Sequence, residues 1–210
     1  MHTDQIDTIA LDFDDTLVES TPHLIKVWTK EGRLSTPYEQ FTTPFFSDNG
    51  LILKKGELAT YLNAAYSSAE LKMRDPYVTT FIDWAHSNGI SIEIVTASPG
   101  DEDNIAGWLQ RNNVAYDKLT KTSSNKQDWE WSKFKATDAE ILIDDAFTFA
   151  NSFAANGRIG ILYGAPWNQL LREKCGNGEH SSLFYADNWV QVERLVKSLC
   201  TDRARGKILR

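Results

Sequence analysis

The chain has 210 residues, room for one domain plus a modest insertion, and its 41% hydrophobic and 24% charged residues exclude a disordered or fibrous protein. A formal net charge of −7 argues against a broad nucleic-acid-binding face, yet it admits a small phosphorylated ligand, because one divalent cation and one lysine invert the field locally. Two cysteines make no disulfide scaffold, residues 1–5 carry no signal-peptide features, and no apolar stretch nears the ~18 residues of a membrane span, so the cytoplasm is the expected compartment.

The first element is the apolar run Ile9-Ala10-Leu11, read as a buried strand, which ends abruptly in Asp12-Phe13-Asp14-Asp15-Thr16. Acids there are costly unless a cation or hydrogen-bond donors face them, and the carboxyl end of a strand is where open α/β sheets bind ligands. Residues 19–30 read as a helix with Leu24, Val27 and Trp28 apolar. A turn-rich aromatic stretch follows over 37–50, then a helix over 57–66 with Leu58, Tyr61, Leu62 and Ala65 on one side.

Beyond residue 75 strands alternate with helices. Val78, Phe81, Ile82 and Ala85 mark a helix stopped by Asn88-Gly89, and a strand over 90–95 runs into Thr96-Ala97-Ser98. A helix spans 101–113, a strand 118–122 and a short helix 127–134. The strand 139–143 ends in Asp144-Asp145. A helix over 146–156, a strand over 158–163 and a C-terminal helix marked by Val192, Leu195, Val196 and Leu199 complete the pattern. Such alternation predicts an α/β fold, a doubly wound parallel sheet. The expected division is a core of residues 1–17 and 76–200, a mainly helical insertion over 18–75, and a basic tail over 201–210. That tail reads as a frayed end or as an oligomer or anion contact.

The ordered set Asp12-x-Asp14-x-Thr16, Thr96, Lys126, Asp144-Asp145, each just past a predicted strand, resembles the haloacid dehalogenase-like hydrolases, most of which are Mg²⁺-dependent phosphatases. The resemblance spans roughly residues 7–168. Val95-Thr96-Ala97-Ser98-Pro99 and Ile161-Leu162-Tyr163-Gly164-Ala165-Pro166-Trp167-Asn168 are similar to the small 5′(3′)-deoxyribonucleotidase branch, including bacterial and phage members. Asp15 departs from the glycine that many members of that branch carry.

The resemblance implies a Rossmann-like core with the insertion as a cap. Asp12 would be the nucleophile that forms an aspartyl-phosphate, and Asp14 the acid and then base for the leaving oxygen. Mg²⁺ would be held by Asp12, Asp144 and the main-chain carbonyl of Asp14. Asp145 is a further ligand through water, an orienter of the lysine, or an N-cap for the next helix. Thr96, with the amides of Ala97 and Ser98, would contact the phosphoryl group, as would Thr16. Lys121, Lys126, Lys133 and Lys135 are the candidate cations. Lys126 sits where the family places its lysine, whereas Lys133 and Lys135 suit a helix C-terminus.

Phe41, Phe45, Phe46 and Trp28 either stack on a nucleobase or fill the core of the insertion. His23 reads as a surface residue or a substrate contact. No histidine pair has metal-ligand spacing, so zinc is not expected. The expected activity is a phosphomonoesterase acting on nucleoside monophosphates, as monomer or homodimer. The alternatives are a sugar-phosphate phosphatase and a catalytically silent phospholigand- or protein-binding member. A polynucleotide end phosphatase would want a basic groove that the charge does not offer.

Overall fold

Apolar runs bounded by turns form six parallel strands: β1 (Thr8–Leu11), β2 (Ser91–Thr96), β3 (Lys118–Lys121), β4 (Ile141–Asp144), β5 (Ile159–Tyr163) and β6 (Leu183–Ala186). They lie in one sheet in the order β3-β2-β1-β4-β5-β6. This computed structural model describes residues 6–122, 129–175 and 181–204. The order is doubly wound, with its crevice where the winding reverses, between β1 and β4. Register brings Leu11 opposite Ile94 on one side and Ile143 on the other. The next residues, Asp12 and Asp144, therefore end neighbouring strands side by side.

Both faces of the sheet are buried, which is why its strands read as unbroken apolar runs. Ile9 and Leu11 join the larger core with α3 (Tyr77–Ser87), α4 (Glu102–Arg111) and α7 (Trp189–Ala204). Ala10 turns to the other face, against Trp129 and Phe134 of α5 (Trp129–Ala136) and Phe149 and Phe153 of α6 (Phe147–Ala155). The predicted stripes hold: Val78, Phe81, Ile82 and Ala85 are buried in α3, and Ile105, Trp108 and Leu109 in α4. Strand β6 was not expected; it is a short edge strand in which only Leu183 and Ala186 are fully buried.

Between β1 and α3 the chain forms α1 (Ser20–Lys30), two 3-10 turns (Tyr38–Gln40 and Phe46–Asn49) and α2 (Glu57–Ser67). This insertion leaves and rejoins the core at one place, where Val18 and Met73 form an antiparallel bridge. It has its own aromatic centre: Trp28 meets Phe46 and Tyr61 edge-on, with ring centroids 4.8 and 5.4 Å apart. No described helix is long and apolar enough to cross a membrane.

Candidate active site

Three strand ends build the site. After β1 the Asp12 amide still donates to the Ile143 carbonyl at 2.9 Å, and then the chain turns. The amides of Leu17 and Val18 return to the Phe13 carbonyl, at 3.0 and 3.1 Å. Phe13 goes into the core, leaving Asp12 and Asp14 together at the cavity. The turn requires a left-handed residue, and Asp15 supplies it with φ +57°. That explains why glycine suits the position. Asp15 is kept there by its own carboxylate, which accepts from the Thr21 amide at 2.9 Å and from the Thr21 hydroxyl, in the first turn of α1.

After β4, the Asp144 carboxylate accepts from the Ala146 amide at 2.8 Å, and because Ala146 is itself the residue that precedes α6, the expected N-cap role of Asp145 is not found. The Asp145 carboxylate accepts from Trp167 Nε1 at 3.0 Å, and Asn168 Nδ2 donates to the Asp145 and Tyr163 carbonyls, both at 2.7 Å. The Pro166-Trp167-Asn168 segment, the start of a 3-10 helix (Pro166–Lys174) that follows β5, thus braces Asp145. Asp12, Asp144 and Asp145 each present an oxygen within 4.8 Å of the other two. Asp14 adds no carboxylate to that trio, which leaves its main-chain carbonyl as its route to a cation.

The cation beside these acids is Lys133. Its Nζ donates to Asp12 Oδ1 and, at 2.7 Å, to Asp144 Oδ2, and it lies 4.5 Å from the Phe149 ring centre. The sequence favoured a helix-end role for Lys133, and the structure differs. Attraction to two buried carboxylates outweighs the weak pull of a helix dipole. Lys126 lies outside the described residues. Burial opposes the Lys133 charge, but Asp12 and Asp144 more than offset it and hold its pKa above the ordinary lysine value. Burial pushes Asp12 up to about 8 despite Lys133, with Asp144 and Asp14 adding to the rise. Burial likewise raises Asp14, Asp144 and Asp145, and lifts Asp15 to about 6 against the pull of Arg74.

A cavity of about 190 Å³ opens over these groups. Thr96, Ala97 and Ser98 line it as expected. Thr96 Oγ1 accepts from the Ser98 amide at 3.0 Å, so that amide is committed and the Thr96 hydroxyl proton is the available donor. Thr16 is a correction: fully buried, it accepts from the Asp145 amide at 3.1 Å and donates to Asp145 Oδ1 at 3.4 Å, tying two loops together instead of facing the cavity. Phe46 lines the cavity with Leu24, Pro44, Leu58 and Leu62 of the insertion. Phe41 does not; it is buried against Phe46, because a small insertion needs large side chains for its own core. Phe45 is half exposed and leans on Trp129. Trp28 is wholly within the insertion core, and His23 is not among the lining residues.

The sequence reading missed Trp129, Phe149 and Trp167 as cavity walls and Tyr66 as a partner of Asp14. Phe149 read as one position of an apolar stripe and Trp167 as part of a motif, while Trp129 and Tyr66 fell in no stripe; periodicity does not say which end of a sheet a side chain reaches.

A six-stranded parallel sheet in this order, with paired acids ending β1 and β4 and an insertion directly after β1, decides the architecture. The fold is that of the haloacid dehalogenase-like hydrolases. No family model and no curated protein matches the sequence. Solved structures share the fold over nearly the whole chain. A phosphonoacetaldehyde hydrolase-like protein from Oleispira antarctica has a TM-score of 0.59 at 10% identity, covering 98% of this chain and 96% of its own. A predicted phosphoglycolate phosphatase from Haemophilus somnus gives 0.58 at 12%, covering 93% and 100%. A HAD-superfamily hydrolase from Ehrlichia chaffeensis gives 0.53 at 14%, covering 93% and 98%.

Proposed function

We propose that this protein is a cytoplasmic, Mg²⁺-dependent phosphomonoester hydrolase that works through an aspartyl-phosphate, with nucleoside monophosphates as its substrates. The observation that supports it most is the convergence of Asp12, Asp144, Asp145 and Lys133 at the ends of β1 and β4, with Asp14 alongside.

The residues fit a hard divalent cation. Five carboxylates line the cavity, and Lys133 is the sole lysine or arginine among its described lining residues. Burial is the chief cause of their raised pKa values, and neighbouring carboxylates add to the rise at Asp12 and Asp145. Asp12, Asp144, the Asp14 carbonyl and, directly or through water, Asp145 would hold Mg²⁺, which favours oxygen ligands and few carboxylates. Bound there, the ion would neutralise charge on the transferring phosphoryl oxygens.

The chain supplies the rest. Asp12 attacks phosphorus, the bond to the leaving alcohol breaks, and Asp14 gives that alcohol a proton. Asp14 then takes a proton from the water that attacks phosphorus, which frees phosphate and regenerates Asp12. Lys133 places a fixed positive charge beside Asp12, and the Thr96 hydroxyl donates to a phosphoryl oxygen.

The walls bear on the leaving group. Phe46, Trp129, Phe149 and Trp167 give flat apolar faces, and Leu24, Leu58 and Leu62 continue them. With Lys133 committed to the phosphate, no further cationic side chain among the described lining residues meets a second anion. A neutral nucleoside suits such walls better than a leaving group bearing a carboxylate or second phosphate. At about 190 Å³ the cavity is smaller than the ~300–1,000 Å³ of typical ligand pockets, so a nucleotide enters with the insertion displaced. The partner is thus a small phosphorylated molecule, met by a monomer or homodimer. The test is phosphate release with Mg²⁺ from nucleoside monophosphates, sugar phosphates and phosphoglycolate. Preference for either of the last two classes would overturn the nucleotide reading, and silence on all three would overturn the phosphatase reading.

A further inference from the structure

Two side chains of the insertion hold the carboxylate of Asp14. Ser20 Oγ, from the start of α1, donates to Oδ1. The second donor comes from the far side of the insertion: the Tyr66 hydroxyl, on α2, lies 2.7 Å from Oδ1 and 2.8 Å from Oδ2. The same hydroxyl is 2.6 Å from Ser98 Oγ, which accepts from the Gly100 amide at 3.2 Å. A phenol carries one proton, so a Tyr66 that donates to Asp14 accepts from Ser98. The donors then run in one direction, from the Gly100 amide through Ser98 and Tyr66 to Asp14. They link the loop after β2, the insertion and the turn after β1.

The surroundings are built to place that hydroxyl. Tyr66 is fully buried, and its ring meets Phe13, the residue between Asp12 and Asp14, edge-on with centroids 5.2 Å apart. Gly100 makes room for the ring: a Cβ there would stand 2.5 Å from Tyr66 Cε2. The Tyr66 carbonyl accepts from Arg111 of α4. Three residues earlier, Asn63 exchanges two hydrogen bonds with Asp101, each 2.7 Å. Packing alone would be served by phenylalanine, and a buried hydroxyl is costly unless its partners need it.

We infer that Tyr66 is the positioning residue of the acid–base carboxylate, so that the insertion completes the catalytic apparatus as well as covering it. This rests on the reading that Asp14 protonates the departing alcohol. With the insertion seated, Ser20 from its first turn and Tyr66 from its far helix together reach both oxygens of Asp14. Proton delivery is thereby tied to closure.

The test is Tyr66→Phe in the full chain with Mg²⁺, assayed on an alkyl phosphate (glycerol 2-phosphate) and on p-nitrophenyl phosphate. kcat/KM covers the steps through alcohol release, and an alkoxide needs the proton whereas nitrophenolate leaves without it. We expect a loss of roughly 10- to 100-fold in kcat/KM on the alkyl ester. On the aryl ester the loss should be at most about threefold. Equal losses, or none on the alkyl ester, would overturn the inference and leave the phosphatase reading standing. A wild-type protein silent on both esters would remove the reading and the inference together. If Tyr66→Phe fails to fold, Ser98→Ala keeps the ring and removes the donor to its hydroxyl. The same asymmetry at smaller amplitude is then expected, and equal effects on the two esters would overturn the proposal.

Discussion

The strand ends of the core and the side chains of the insertion meet over one cavity, but they are specified differently. At the strand ends position follows from register. Once β1 pairs with β4, Asp12 and Asp144 must stand together, and acids so placed have few uses besides holding a cation or doing chemistry. In the insertion position follows from competition. Its aromatics must fill a small core of their own, and only what is left over faces the cavity. Phe41 is claimed by that core and Phe46 is shared, although only four residues separate them and their chemistry is the same. A composition-level argument therefore transfers to the core and fails in the insertion.

The sharpest way to break the core side of this contrast is Asp12→Asn. The amide keeps the shape and cannot attack phosphorus, so phosphate release should fall by about 10⁴-fold or more with the fold intact. Near-wild-type release from the purified variant would end the proposed mechanism. Metal removal should act almost as strongly. EDTA should abolish turnover and Mg²⁺ should restore it, whereas Ca²⁺ should bind and support little, because its larger and looser shell would misplace the nucleophile. Full activity in metal-free buffer would dismiss the acidic trio as a cation site.

Lys133→Met comes next. Removing a fixed charge aimed at the phosphoryl group should lower kcat/KM by about 10²- to 10³-fold. Thermal melts of the metal-free variant should also show clear destabilisation, since Asp12 and Asp144 lose the cation between them. An unchanged kcat/KM would return the role to Lys126.

On the insertion side, Phe41→Ala and Phe46→Ala should separate. Phe41→Ala should lower stability by about 3–5 kcal/mol in denaturant titration and treat all substrates alike. Phe46→Ala should weaken nucleotide binding by about 1–3 kcal/mol, read as a raised KM, while sparing a small generic ester. Matching profiles for the two variants would erase the distinction drawn between them.

The smallest expected effect is on stability against pH without metal. Asp12 has its pKa pushed up to about 8 from an ordinary 3.8, chiefly by burial. Between those values the folded state binds more protons than the unfolded one. The contribution of Asp12 to stability is therefore fully present below about pH 4 and is lost as pH rises toward 8. Melting temperatures in EDTA should fall across that window, and added Mg²⁺ should restore most at the alkaline end. A rise with pH would contradict a pKa of Asp12 raised by burial.

Legibility followed the same divide. Parallel alternation, the stripes of α3 and α4 and the strand-end acids were readable because each depends on local period and on where a strand stops. Lys133 was not. Its helix carries no clear apolar stripe, and its burial depends on the acids of other strands coming together around it. Tyr66 was hidden for a related reason: it stands at the end of the helix expected over 57–66, outside its apolar side, and only the meeting of α2 with the turns after β1 and β2 gives its hydroxyl a task. Trp167 and Asn168 were noticed as a motif, and the brace on Asp145 supplies its physical content.

That brace also makes the site optically observable. The indole of Trp167 donates to a carboxylate of the acidic trio, so its emission depends on the local charge at Asp145. A cation arriving there changes the field across the ring without any substrate or turnover. The difference between wild-type and Trp167→Phe emission during a Mg²⁺ titration would isolate this one fluorophore from the seven tryptophans of the chain. A residue placed to steady a loop thereby doubles as a built-in reporter of occupancy.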